Sequence, residues 1–276
     1  MTRRLASRVG FDALGLALFA VLVFPIYWMV ATAFKPGRQI LSLTPVWIPW
    51  PLTLANFEEA VTRPFFLQDV ENSVSVVAAT VAVSLTVAFL AAVAVARFRF
   101  KGKAAFVALV MGVQLVPLNA LVIPLYLLLD GAGLTDTLAG VVLSYLAFVL
   151  PFMVWTLTGF IANIPPDLEE AAMIDGCSRL GTLWRILLPL AAPGLVATAI
   201  YGFVQAWNEY IVAYILLSSP RNQTLTVWLA SFTTNHGTDW GGLMAGATIT
   251  SVPVVVFFLL VQRHFAAGLT AGAVKG

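Results

Sequence analysis

Four polar residues in one strongly apolar stretch carry the most specific chemistry in the chain. Tyr201, Gln205, Asn208 and Glu209 recur at i, i+4, i+7 and i+8, which places them on one face of a helix. Hydroxyl, amide and carboxylate groups on one stripe can exchange hydrogen bonds with the hydroxyls of a solute moving past. Glu209 lies about four residues, roughly 6 Å, from the middle of its stretch. A charge at that depth costs about 2.5–3.5 kcal/mol on insertion scales, so its carboxylate should turn away from lipid. The stripe could equally be a hydrogen-bonding seam against a second membrane subunit. Gln114 and Asn119, in another apolar stretch, are further candidates for the path.

A second constellation runs from Asp167 to Gly194 and gathers charge, small residues and helix signals. Pro165 and Pro166 stop any helix arriving from upstream. Asp167 is a good N-cap, and Glu170 three residues on completes a capping-box pair. A helix over 168–174 should end at Gly176, the usual residue for a left-handed turn. Ser178 can start a second helix, in which Leu180, Leu183, Trp184 and Leu187 fall on one apolar face. Pro189 and Pro193 should end it. Ala171 and Ala172 give the first helix a small face that another surface can approach closely. Glu169, Glu170 and Asp175 offer acidic partners for a basic cleft. Two physical readings stay open: a loop that meets another protein, or a loop that packs on its own bundle at the membrane surface.

The elements that must position these residues follow from composition. The chain has 276 residues, 60% hydrophobic and 10% charged, with a mean hydropathy of +0.93. Soluble domains average about 25% charged residues, so the composition points to a bilayer. The net charge of +2 gives no case for nucleic acid. Stretches 12–33, 73–95, 104–129, 138–160, 193–216 and 241–262 are each long enough to span. Pro25, Pro117, Pro124, Pro151 and Pro253 fall inside them and should act as kinks. The apolar run ending at Ala31-Thr32-Ala33 is too long for a signal h-region and reads as an uncleaved first span.

Basic residues set the orientation. Arg3, Arg4, Arg8, Arg97, Arg99, Lys101, Lys103, Arg179, Arg185, Arg263 and Lys275 share one side, against Lys35, Arg38, Arg63 and Arg221 on the other. The fold expected is therefore an all-α membrane protein of six transmembrane helices, a single domain over 1–276, with both termini and the 165–189 loop cytoplasmic. Residues 35–71 and 217–240 face outside, with proline and aromatic residues over 43–55 suited to the interface. Short helices are expected near Thr53–Ala60 and Leu225–Phe232. His236 and His264 lie on opposite sides and cannot form one metal site. Cys177 is alone and reads as a small packed residue.

The wording of the loop adds to this. Glu170-Ala171-Ala172, Asp175-Gly176 and Ile186-Leu187-Leu188-Pro189 resemble the EAA loop of ABC-importer permeases, at the family's spacing and before the penultimate span. Cys177 stands where the family usually has Ala. Ala206-Trp207-Asn208-Glu209-Tyr210 resembles the AWNE signature of the carbohydrate-uptake (maltose/multiple-sugar type) branch. The tail from Gln262-Arg263 through Gly268 to Gly276 is similar to that of the branch's second permease partner.

The resemblance implies a transport subunit of the bacterial cytoplasmic membrane that carries a di- or oligosaccharide. It implies a second permease, two ATPase subunits and an extracytoplasmic sugar-binding protein as partners. Glu170, Ala171, Ala172 and Gly176 are then coupling residues, with Glu169, Asp175, Leu183 and Trp184 completing the docking set. The chain has no G-x-x-x-x-G-K-[ST] phosphate loop, since Gly102-Lys103 is followed by Ala. It should bind no cofactor itself, with ATP and Mg on the partner ATPase. Competing readings are an importer permease for another solute, such as a glycerophosphodiester or an amino acid, and a stand-alone secondary transporter. The latter should show a coupling-ion site and usually a repeat-built fold, and one membrane acid with no evident repeat argues against it.

Overall fold

A computed structural model describes the backbone of residues 2–273 and the side chains of residues 11–262. The side chains of Arg3, Arg4, Arg8, Arg263, His264 and the tail through Lys275 lie outside the described residues. So do two groups of expectations that rest on them: part of the charge asymmetry, and the family-like C-terminus.

Apolar helices dominate the chain. In order they are α1 (Thr2–Ala33), α2 (Gly37–Ile40), α3 (Ala55–Thr62), α4 (Phe66–Arg97), α5 (Lys103–Val113), α6 (Leu118–Gly131), α7 (Leu138–Ala162) and α8 (Asp167–Ile174). Next come α9 (Arg179–Thr182), a π-helical turn (Leu183–Leu187), α10 (Leu188–Leu190), α11 (Ala192–Asn208) and α12 (Ile211–Leu216). A 3₁₀ turn (Pro220–Asn222), α13 (Leu225–Ala230), the two-residue strands β1 (Thr233–Thr234) and β2 (Gly237–Thr238), and α14 (Trp240–Ala273) complete it. The strands pair antiparallel, Thr233 opposite Thr238.

Among the described residues, four helical stretches are long and apolar enough to cross a bilayer: Phe11–Ala33, Phe66–Arg97, Leu138–Ala162 and Trp240–Gln262. Two bent pairs bring the possible total to six. The expected third stretch, 104–129, is not one helix, because α5 and α6 meet at 103°. Pro117 has extended backbone (φ −64°, ψ 129°), and a proline disfavours helix in the residue before it. The expected fifth stretch, 193–216, is also divided. Its first part, α11, joins Arg179–Leu190 at a 71° bend, and it stops at Asn208, where Glu209 turns extended (φ −70°, ψ 129°). Pro189 does not end the loop's second helix, which continues to Leu190. Pro193 sits in the first turn of α11, where its missing N–H costs nothing.

The chain divides into two compact units. One holds the residues up to Phe66 together with Trp228–Pro253; the other holds Leu67–Val227 and the residues from Val254 on. In the first, Asn56 Nδ2 donates to the carbonyls of Ala33 and Lys35, both at 2.8 Å, and so closes the end of α1. Phe24, Trp28 and Trp47 cluster there with ring centroids 5.6–5.9 Å apart. Lys35 Nζ lies 3.7 Å from the centre of the Trp28 ring. Arg63 stacks on Phe232 and bonds the Ser231 carbonyl.

The second unit contains a core of Ala88, Phe89 and Ala92 from α4 and Val149, Met153, Leu157 and Ile161 from α7, with Leu187 and Ala191. Small residues let α11 approach α7 closely, as in membrane bundles generally. A Cβ on Gly194 would fall 2.6 Å from Phe160 Cγ.

Candidate functional site

The loop between α7 and α11 is built from local signals. Pro166, not Asp167, holds the cap position of α8; Asp167 is the first helical residue, and the expected side-chain capping bond is not formed. The reason is steric. Pro165-Pro166 leads directly into the helix with Pro166 itself helical (φ −61°, ψ −27°), so Asp167 is already inside the first turn. Asp167, Glu169 and Glu170 still place negative charge at the positive end of the helix.

The exit fits expectation. Gly176 is left-handed (φ +91°). Cys177 N–H donates to the Ala172 carbonyl at 2.9 Å and Gly176 N–H to that of Met173 at 3.1 Å, a Schellman closure. The Ser178 hydroxyl then accepts from Gly181 N–H at 3.1 Å and starts α9.

The loop's faces are divided. Glu170, Ala171, Asp175 and Gly176 are exposed, and Ile174 is 86% exposed. Ala172 is buried, against its expected place on the docking face, because its side of α8 packs inward. The apolar stripe of the second helix also splits. Leu187 is buried and Leu183 packs on the core, while Leu180 is 64% and Trp184 47% exposed. The cause is the π-helical turn over 183–187. Its wider winding shifts the 3.6-residue register just before Pro189, which has no N–H to offer a carbonyl four residues back.

Glu169 does not present its carboxylate outward either. Arg97 Nε donates to Glu169 Oε1 at 2.6 Å, and Arg97 Nη2 donates to the Ile164 carbonyl at 2.8 Å. Sequence reading used Arg97 only to orient the chain. The single cue to this pairing was a basic residue at the close of a long apolar run. Beside the pair opens a groove of about 640 Å³, lined by Val93, Phe98, Met173, Arg179 and Leu183 among others.

The polar stripe meets a cavity of about 520 Å³. Tyr201, Gln205, Asn208, Glu209 and Gln114 all line it, beside Phe148, Pro117 and Pro124. Asn119 is exposed and is not among its lining residues. Both helix breaks serve this cavity. The α5–α6 bend places Gln114 at its wall, and the α11–α12 break places Glu209 there.

Glu209 is not a simple member of a helical face, since α11 has ended one residue earlier. Its Oε1 accepts from Val212 N–H at 2.9 Å and its Oε2 from Ala213 N–H at 3.2 Å. The carboxylate thus satisfies first-turn donors of α12 that would otherwise be orphaned. The Glu209 carbonyl accepts from the Thr226 hydroxyl at 2.7 Å. Asn208 Nδ2 bonds back to the Val204 carbonyl at 2.8 Å, and the Tyr201 ring stacks on Phe152 with centroids 3.9 Å apart.

Asp136, between α6 and α7, was not singled out from the sequence, and it fastens the 218–222 turn. Its Oδ1 accepts from the N–H groups of Ser218 and Ser219 at 3.0 and 2.9 Å, and its Oδ2 accepts from the Ser219 hydroxyl. Asn222 Nδ2 donates to its carbonyl at 2.6 Å. The Ser219 hydroxyl, followed by the Ser219 amide, holds the Asp136 carboxyl below its usual value of 3.8.

Long apolar helices, two of them broken beside a polar cavity, with a two-helix loop exposed between α7 and α11, define a multi-pass membrane permease. Comparison with known proteins makes this specific. Residues 84–271 match the family described as "Binding-protein-dependent transport system inner membrane component", and the chain belongs to that family. It is a transport component and not an ATPase.

The diacetylchitobiose uptake system permease protein DasC of Streptomyces coelicolor is 42% identical over 276 residues, all of both chains. The trehalose/maltose transport system permease protein MalG of Thermococcus litoralis is 35% identical over 267 residues, 95% of each. Among solved structures, a bacterial ABC transporter involved in import of the acidic polysaccharide alginate has a chain of the same fold, with a TM-score of 0.82 at 21% identity. That match covers 96% of this chain and 98% of the other.

Proposed function

We propose that the chain is one of two unlike membrane subunits of an ATP-driven importer of di- or oligosaccharides. The observation that carries this is the joint presence of an EAA-type loop with an exposed acidic and small-residue face and a cavity of about 520 Å³ lined by Gln114, Tyr201, Gln205, Asn208 and Glu209. The names of the relatives, which handle diacetylchitobiose and trehalose or maltose, support the substrate class.

In this reading residues 1–276 form a single transmembrane domain in the bacterial inner membrane. It has six spans, two of them bent, and cytoplasmic termini. The asymmetry of basic residues supports that orientation. Glu170, Ala171, Asp175, Gly176 and Trp184 meet one of two ATPase subunits, which carry ATP and Mg. Glu169, Ala172 and Leu183 hold the loop to the bundle behind that face. ATP-driven closure moves α8 and shifts the balance between inward- and outward-open states. An extracytoplasmic binding protein delivers the sugar to the cavity, where amide and hydroxyl groups face it beside the rings of Tyr201 and Phe148.

Purification of the chain from its native membrane in mild detergent tests this. Recovery of an ATPase, a second permease and a binding protein that titrates with a sugar panel supports the proposal. Recovery of the chain alone, transporting in liposomes without ATP, overturns it.

A further inference from the structure

Arg97 is the last residue of α4, and its ion-pair partner Glu169 lies 72 residues away in the first turn of α8. The guanidinium is used in two directions. Nε reaches Glu169 Oε1 at 2.6 Å, and Nη2 reaches the carbonyl of Ile164, between α7 and α8, at 2.8 Å. One cation therefore joins the end of α4, the exit of α7 and the start of α8. The Arg97 and Glu169 side chains are only 13% and 18% exposed. Such a pair is unlike exposed ion pairs, which contribute about 0–1 kcal/mol. Its placement also suits both helix dipoles: the cation closes a C-terminus and the anion opens an N-terminus.

The chain itself ties α8 to the bundle twice, through residues 163–166 to α7 and through α9 and α10 to α11. Neither route reaches α4; the ion pair does, across space, and the Ala88, Phe89 and Ala92 of α4 are packed in the core. Removing either partner strands a shielded charge, so the contact resists parting more than its Coulomb energy alone implies.

We infer that Arg97 and Glu169 are positioning residues that make α4 follow α8 when the ATPase moves it. This rests on the importer reading above. Glu169 then acts in coupling by pulling on its own subunit, while Glu170 and Ala171 face the partner.

The test uses the assembled complex in nanodiscs, with Arg97→Ala, Glu169→Gln, and the reversed pair Arg97→Glu with Glu169→Arg. Subunit stoichiometry, ATP hydrolysis and sugar moved per ATP are measured together. Each single variant should keep stoichiometry and hydrolysis while sugar moved per ATP falls at least five-fold. The reversed pair restores the attraction but sets each charge against its helix dipole and loses the Ile164 bond, so any recovery it gives supports the tie. An unchanged ratio in the single variants overturns the inference.

A distance measurement decides the case independently of the reversed pair. Spin labels at Leu90→Cys on α4 and Leu168→Cys on α8, in a Cys177→Ser background, should keep one separation in nucleotide-free and ATP-trapped complexes. That separation should become state-dependent on adding Glu169→Gln. A separation that already changes between states without Glu169→Gln refutes the tie. Failure of the importer reading is distinct, because the unmodified complex would then show no ATP-driven uptake.

Discussion

The carboxylate of Glu209 both caps α12 and faces the polar cavity, and two substitutions separate these roles. Glu209→Ala leaves two first-turn N–H groups without acceptors, and loss of a cap costs about 0.5–2 kcal/mol. It should lower both the unfolding temperature and transport. Glu209→Gln keeps one acceptor oxygen, removes the charge and turns an amide NH2 towards the other N–H. It should lower the unfolding temperature less than Glu209→Ala does and leave complex assembly near wild type while transport falls several-fold. Full transport by the Gln variant would reduce Glu209 to a structural cap.

Asp136 permits a pH prediction at the same scale. Its folded carboxyl titrates below the usual 3.8. The stabilisation it gives is therefore complete above that value and is lost as pH falls through the lowered one. Asp136→Asn should unfold at lower temperature than wild type at pH 7, and the gap should close in strong acid. A gap that persists unchanged at the acid end would mean that the Ser218–Ser219 turn is held by something other than this charge.

Among the elements, α8 and its closing turn were the most legible in the sequence, because their determinants act on near neighbours. Gly176 N–H bonds three residues back and Cys177 N–H five residues back, and Ser178 caps a residue three ahead. The helix breaks were less legible. Hydropathy registers apolarity, not backbone direction, so 104–129 and 193–216 each read as one span. Prolines did not mark the breaks reliably. Pro25, Pro124, Pro151 and Pro253 all sit inside continuous helices, whereas Pro117 stands at a 103° bend. The break at Glu209 has neither proline nor glycine beside it. The Arg97–Glu169 pair was illegible for a different reason: only tertiary packing brings together residues 72 apart.

A prediction at the scale of the element concerns the α8 exit. Gly176→Val forces a branched side chain into φ +91°, where an ordinary residue costs about 1–2 kcal/mol and a β-branched one is a genuine outlier. The turn should reopen, moving Asp175 and the start of α9. ATPase recovery in the pull-down should fall several-fold while the chain remains in the membrane. Unchanged recovery would show that the docking face does not depend on this closure.

At the scale of the whole molecule, α1 is the least buried of the long apolar helices among the described residues. Over its most apolar 18-residue window no residue is buried within the chain, against 39% for the corresponding window of α7. Residues 13–26 carry no polar side chain. Among the described residues, what holds α1 lies at one end, where Tyr27 donates to the Trp47 carbonyl and Trp28 meets Phe24, Trp47 and Lys35. The helical stretch Phe11–Ala33, 23 residues at 1.5 Å each, exceeds a hydrocarbon thickness of about 30 Å. In a bilayer such an excess can be taken up by tilt. Oriented-sample spectroscopy in lipids of decreasing acyl length should show α1 leaning further while α7 holds its angle. Equal response of both helices would contradict this.

The consequence is a mechanical one: fixed like a mast stepped at a single end, α1 leaves the rest of its length to lean on whatever adjoins it, bilayer or second subunit, so its surroundings become one of the settings of the protein.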